Sequence, residues 1–142
     1  MKENEQRLSS AEAVALVRFA KGCFPAMQVD EFTPDSWGVV LGPLLFEDCK
    51  LALVNLARRL PFAAASDIYG EVRRIRRERI GAFGLLPEPP SGLGQREYQE
   101  WQWKTTRAIA DGELTPPDRR LELVQKYPPV EYNDLLPRIP GE

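Results

Sequence analysis

Residues 46–60 read FEDCKLALVNLARRL, and they are followed by the break PFAAAS at 61–66 and a second helical start at Asp67–Ile68. On a helical wheel counted from Leu45, the apolar residues form a stripe about 100° wide. Its members are Cys49, Ala52, Leu53, Leu56 and Leu60. Leu51 and Val54 fall on the opposite side. A helix that is apolar on two sides is usually covered by neighbours or holds a partner, so we expect it to be the axis of a small helical bundle.

Capping signals predict two helices before this axis. Ser9 and Glu12 have the spacing of a capping box, which starts a first helix that ends near residues 22–25. Thr33–Pro34 predicts the next start, with threonine as N-cap and proline in the first helical position. The short second helix is expected to point Trp37, Val40 and Leu41 at the core. The connecting loop is too apolar to be left in water, and we expect it to bury Phe24, Met27, Val29 and Phe32.

The second half of the chain divides at a segment rich in glycine and proline. A fourth helix is predicted at 65–80, with a narrow apolar seam of Ile68, Val72 and Ile75. Residues 81–94 read GAFGLLPEPPSGLG, which is typical of a linker. A fifth helix is expected at about 95–111. Thr115–Pro116 predicts a sixth of about ten residues.

The alternation of apolar and polar residues that indicates strands does not occur, so the predicted fold is all-α. We expect a small N-terminal four-helix domain at 9–80, a Gly/Pro linker at 81–94 and a helical C-terminal segment at 95–127. An extended, proline-containing tail is predicted at 128–142.

The charge distribution is uneven although the net charge of the 142 residues is only −2. Residues 58–80 carry a net +4 between two flanking blocks of −3 each. Such asymmetry indicates a local surface that attracts anions. Cys23 and Cys49 lie in separate apolar patterns and are expected to be free thiols in a reducing compartment. No apolar run approaches the roughly 20 residues that span a bilayer, so we expect a soluble, cytoplasmic protein without membrane contact.

The sequence lacks the residues on which common catalytic sites depend. It has no histidine, the commonest general base and the commonest ligand of catalytic zinc. Phosphate-binding, dinucleotide-binding and nucleophile-elbow motifs are also missing. We therefore expect no enzyme, no cofactor, no metal site and no catalytic residue.

The fourth helix carries five arginines in seven residues, and only Glu71 and Glu78 on the same helix are spaced to pair with them. Several guanidinium groups are therefore predicted to be left over. They suit contact with nucleic-acid phosphates or with an acidic protein surface, and they are equally typical of a solvated face that contacts nothing. Trp103 points away from the inward side of the fifth helix, beside Glu100 and Arg107, which weakly indicates a contact surface.

Residues 9–80 resemble the helical N-terminal domain of phage replicative helicase loader/inhibitor proteins. The resemblance rests on an aromatic-Pro pair at Phe24–Pro25, a tryptophan on a short helix at Trp37, and an aromatic-acidic-Asp step at 46–48. A break leading to Asp-Ile, here from Phe62 to Asp67–Ile68, completes the pattern.

The resemblance implies a non-enzymatic adaptor of DNA replication in the host cytoplasm, which binds a hexameric replicative helicase and inhibits it or delivers it to an origin-bound initiator protein. The candidate partner-binding residues are Arg73, Arg74, Arg76, Arg77, Trp103, Leu135 and Leu136. The alternative function is direct DNA binding of the helix-turn-helix type, with the arginine-rich helix 65–80 as the reader.

Overall fold

The computed structural model of the chain describes residues 5–116 and contains five helices over that range, with no strand. The all-helical prediction is confirmed for this part of the chain. The helices are α1 (Ser10–Cys23), α2 (Thr33–Val40), α3 (Phe46–Ala57), α4 (Ala65–Phe83) and α5 (Gln95–Ala110). The predicted sixth helix beyond Pro116, the tail and the candidate residues Leu135 and Leu136 lie outside the described residues.

The central helix α3 contacts both α1 and α4. The expectation that its second apolar side is also covered was wrong, because Leu51 is exposed and Val54 is only partly buried. Four residues of the predicted stripe are buried: Cys49, Ala52, Leu53 and Leu56. The fifth, Leu60, is exposed, because α3 ends at Ala57 and the chain turns away before Pro61. A proline disfavours helical backbone in the residue that precedes it, so the stripe stops one turn earlier than the sequence pattern indicates.

The predicted capping box of α1 is confirmed. The Glu12 backbone N–H donates to Ser9 Oγ at 3.1 Å, and the Ser9 N–H donates to the Glu12 carboxylate at 2.9 Å. At α2 the prediction was wrong, because Thr33 is the first helical residue and Phe32 is the N-cap. The Asp30 carboxylate caps this end instead, accepting the backbone N–H groups of Phe32 and Thr33 at 2.9 and 3.0 Å.

Two predictions about the core on this side of the molecule were partly wrong. In the loop before α2, Phe24 and Met27 are buried, but Val29 and Phe32 are not, and Phe32 is 65% exposed. On α2, Trp37 is buried and Leu41 follows it into the core, whereas Val40 is exposed. Val40 and Leu41 lie on opposite sides of Trp37 around the helix axis, and only the Leu41 side is covered.

Helix α4 confirms its predicted seam and is longer than expected. Ile68, Val72 and Ile75 are buried, and the helix runs through Gly81 to Phe83, which is also buried. The first three residues of the predicted linker therefore belong to α4. Gly84 ends the helix with φ +80°, a backbone conformation that favours glycine.

Helix α5 packs against α4, and its buried residues lie only at its C-terminal end. Its buried side chains are Ile109 and Ala110, in the last two helical positions. Nearer its start, the rings of Tyr98 and Trp101 lie 5.8 Å apart, and Tyr98 is exposed. The C-terminal end of α5 therefore fixes its place on the bundle.

The two leucines of α3 that differ most in burial give a matched test of this core. Leu53 is 0% exposed and Leu51 is 43% exposed. Leu53→Ala should lower the free energy of unfolding by about 3 kcal/mol, because it leaves a cavity between packed helices. Leu51→Ala should cost less than about 1 kcal/mol. Urea unfolding of both variants checks the difference, and equal losses would contradict the orientation of α3.

Candidate functional site

The arginines of α4 are divided between internal ion pairs and solvent. Arg74 pairs with Glu71 and Glu78 on its own helix. Arg59, from the chain that follows α3, also donates to Glu71, at 3.0 Å. The hydrogen bond from Arg74 holds the pKa of the buried Glu71 carboxyl below its ordinary value, against the opposing effect of burial. The Glu71 carboxylate thus connects the segment after α3 to α4, and Arg74 is its ion-pair partner on α4.

Arg76 and Arg79 find partners that do not belong to α4. Arg79 donates to Asp48 Oδ1 on α3 at 2.8 Å and to the Ala110 carbonyl at the end of α5 at 2.9 Å. Arg76 pairs with Asp111 and lies 4.0 Å from Asp48 Oδ2. Fewer guanidinium groups are therefore left over than the sequence pattern indicates. The missing partners come from α3 and from the residue that follows α5.

Asp111 is the point at which α5 is attached. Arg7 donates to its two carboxylate oxygens at 3.0 and 2.9 Å, and Arg76 donates to the first of them. The Asp111 side chain is only 3% exposed. Burial by itself raises the pKa of Asp111, but the hydrogen bonds from Arg7 and Arg76 outweigh it and hold that pKa below 3.8. The same carboxylate raises the pKa of Arg7.

Sequence reasoning missed this attachment because its members are far apart in the chain. Leu8 precedes the first predicted helix, yet it is buried, and the backbone N–H groups of Arg7 and Leu8 both donate to the Gly42 carbonyl. Arg7 and Asp111 are separated by 104 positions. No local spacing rule relates two such residues.

Beside the attachment lies a groove of about 530 Å³ between α4 and α5. Arg73 and Arg77 lie one turn apart on the α4 wall, and neither has an ion-pair or hydrogen-bond partner among residues 5–116. Arg7, Arg76 and Arg107 also line the groove, but they are paired with Asp111 or Glu5. The remaining lining residues are Glu5, Pro43, Ile80, Trp103, Thr106 and Ala110.

Trp103 supplies the aromatic part of the α5 wall and is 37% exposed. The Arg107 guanidinium lies 5.3 Å from its ring centroid, in the range of a cation–π contact. The expected neighbourhood of Trp103 and Arg107 is therefore confirmed. Trp103 also borders a second cavity, of about 870 Å³, along α5, which Arg96 and Lys104 line.

Four of the seven candidate residues come together in this groove, namely Arg73, Arg76, Arg77 and Trp103. Arg74 does not line it. Two free positive charges beside an aromatic ring can hold an anion that also carries a planar or apolar group.

Other features of the described part do not add to this site. Residues 5–116 contain no cluster of three or more cysteine and acidic side chains that could hold a metal ion.

Burial, with the nearby Asp48 and Glu12 carboxylates, raises the pKa of the Cys49 thiol to about 12, so that this sulfur stays protonated at neutral pH. None of the five helices has both the length and the apolar character that crossing a membrane requires.

Comparison of the chain with profiles of known protein families, with curated protein sequences and with solved structures found no match.

The attachment of α5 should be sensitive to acid. The pKa of Asp111 is lowered in the folded protein, so its ion pairs stabilise the fold above pH 3.8 and are lost as the pH falls through that lowered value. Asp111→Asn should therefore be less stable than the wild type at about pH 6, and the difference in free energy of unfolding should narrow as the pH falls below 3.8. Urea unfolding of both proteins, followed by tryptophan fluorescence at each pH, measures the difference in free energy of unfolding.

The control for this experiment is Glu113→Gln, which removes an exposed carboxylate two residues away. It should show a much smaller gap at any pH. A gap for Asp111→Asn that stays constant down to the lowest pH would contradict the role of the carboxylate charge.

Proposed function

We propose that the chain is a non-enzymatic adaptor of DNA replication that holds an anionic macromolecular partner in the α4–α5 groove. The observation that carries the proposal is the pair Arg73 and Arg77, which have no ion-pair or hydrogen-bond partner among residues 5–116, in a groove that also presents Trp103. Arginine and tryptophan are the residue types that most often dominate binding energy in interfaces.

The groove is supported by a rigid frame. Arg76 and Arg79 connect α4 to Asp48 on α3 and to the end of α5, so both walls are held by buried ion pairs. A binding site on helices that are fixed in this way loses little conformational entropy when a partner arrives. Arg73 and Arg77 are then the charges that remain for that partner.

The identity of the proposed partners comes from the resemblance to phage helicase loader/inhibitor proteins. In this proposal the hexameric replicative helicase is the main partner, with an origin-bound initiator as a second one, in the cytoplasm of the host. Helices α1–α5 form the binding domain, with its site between α4 and α5, and Leu135 and Leu136 provide a second contact. Two contacts on one chain make the second binding step effectively intramolecular.

Direct DNA reading by a helix-turn-helix is the less well supported function. Such motifs join their two helices through a three- or four-residue turn, whereas residues 58–64 connect α3 to α4. The arginine-rich face of α4 is also partly covered, because Arg76 and Arg79 are directed to α3 and to the end of α5. A recognition helix needs that face open to enter a major groove.

The adaptor proposal predicts that the chain binds the hexameric replicative helicase from the same phage or host genome. Wild-type protein should co-elute with the helicase in size-exclusion chromatography and change its rate of unwinding. The double variant Arg73→Glu/Arg77→Glu should lose this effect by at least about tenfold, because it reverses both free charges of the groove.

Arg18→Glu/Arg58→Glu is the matched control, since it changes the net charge equally at two exposed arginines that do not line the groove. This control should behave like the wild type. If wild-type protein neither binds the helicase nor alters unwinding, the adaptor proposal is wrong. If both double variants lose the effect alike, only net charge matters and the groove is not the site.

A further inference from the structure

We infer that the α4–α5 groove binds single-stranded nucleic acid, with Arg73 and Arg77 on two successive phosphates and one base stacked on Trp103. The inference rests on the proposed function only in taking this groove as the binding site. It names the chemical class of the anion that the groove holds.

The unpaired arginines of the groove indicate how many phosphates it can contact. Five arginines line it, and three of them, Arg7, Arg76 and Arg107, are paired with Asp111 or with Glu5, which also lines the groove. Within residues 5–116, Arg73 and Arg77 are the lining arginines without such a partner, and they can contact two phosphodiester groups. The two side chains start one helical turn apart, about 6 Å along the axis. That separation is similar to the distance between neighbouring phosphates on an extended strand.

The aromatic ring explains why the ligand carries bases. Trp103 lies across the groove from the arginines and keeps 37% of its surface exposed, although a tryptophan with no contact role gains by burial. Arg107 stacks near its ring and holds it in place. Flat aromatic rings beside a positively charged groove form the usual platform for unpaired bases. An acidic peptide would also pair with the two arginines, but it offers this ring a flat group only where it carries an aromatic residue, whereas every nucleotide carries one.

The shape of the site selects a single strand over a duplex. Trp103 lies in the wall of a groove between two helices, and a base can stack on it only if it leaves its own helical stack. A volume of about 530 Å³ is within the range of small-molecule sites, so it admits a nucleotide unit and excludes a double helix. Duplex DNA could contact the arginines only from outside, through its backbone.

The experiment is fluorescence anisotropy with the full-length chain and a short dye-labelled oligothymidine, compared with a duplex of the same length. The single strand should bind more tightly, and log K against log salt should have a slope of about −1.4, as expected for two phosphate contacts. Arg73→Gln/Arg77→Gln should remove nearly all of that slope. Trp103→Ala should lower affinity about tenfold, and Trp103→Phe should recover most of the loss.

The controls remove equivalent groups elsewhere. Arg18→Gln/Arg58→Gln removes two exposed arginines, and Phe62→Ala removes an exposed aromatic ring that lies outside the groove. Neither should change oligothymidine binding. Equal binding of duplex and single strand, or equal loss in the variants and the controls, would overturn the inference.

The helicase experiment separates the two proposals. If oligothymidine is not bound, but the helicase is bound and released by Arg73→Glu/Arg77→Glu, the groove holds an acidic protein surface; the inference fails and the adaptor stands. If oligothymidine binds through the groove while the helicase does not bind, the inference stands and the adaptor fails.

Discussion

Three buried carboxylates decide which arginines of this protein hold the fold together and which face solvent. Asp48, Glu71 and Asp111 each accept at least one arginine inside the structure, and their side chains are almost completely covered. Removing one partner of a buried ion pair typically costs about 3–5 kcal/mol, because the other charge is left without compensation. An arginine that pairs with one of these carboxylates is therefore held in place by the fold and is not readily offered to another molecule.

The position of α5 follows from this arrangement. Its apolar contribution at the interface is limited to Ile109 and Ala110, so hydrophobic burial alone fixes its place only loosely. Asp111 and the Ala110 carbonyl are contacted by arginines from the N-terminal segment and from α4, which meet the negative end of the α5 dipole. Because this contact is largely ionic, the width of the groove depends on charge more than on side-chain packing. The pairing of Asp48 is incomplete, since its Oδ2 has no hydrogen-bond partner in the described structure and lies 4.0 Å from Arg76.

Local patterns predicted the parts of the fold that local physics controls. The buried stripe of α3 from Cys49 to Leu56, the α1 capping box and the seam of α4 depend on residues within one or two turns of each other, and all three are as predicted. The errors arose at residues whose burial depends on whether another element of the fold packs over them. Phe32 and Val40 are apolar enough for a core, but no element covers them.

The same distinction applies to the candidate site. The sequence predicted Arg73, Arg77 and Trp103 as candidates from residue type and helical position, which are local properties, and the structure places them in one groove. It also counted Arg76 among the free charges, because the partners of Arg76 follow α5 and lie on α3, where no spacing rule would find them. The role of Arg7 could not be predicted for the same reason. Its partner Asp111 is 104 positions away and meets it only in the folded chain.

The arginines of α4 differ in their surroundings. The side chains of Arg76 and Arg79 are only 24% and 28% exposed and are held by carboxylates from other elements. Arg73 and Arg77 are exposed and unpaired within residues 5–116, although both flanking parts of the chain carry excess acid. Within the described residues, the buried carboxylates thus pair with the arginines that contact the end of α5, whereas the two arginines that line the groove beside Trp103 have no such partner. The proposed binding role of this groove depends on that positive charge next to an accessible aromatic ring.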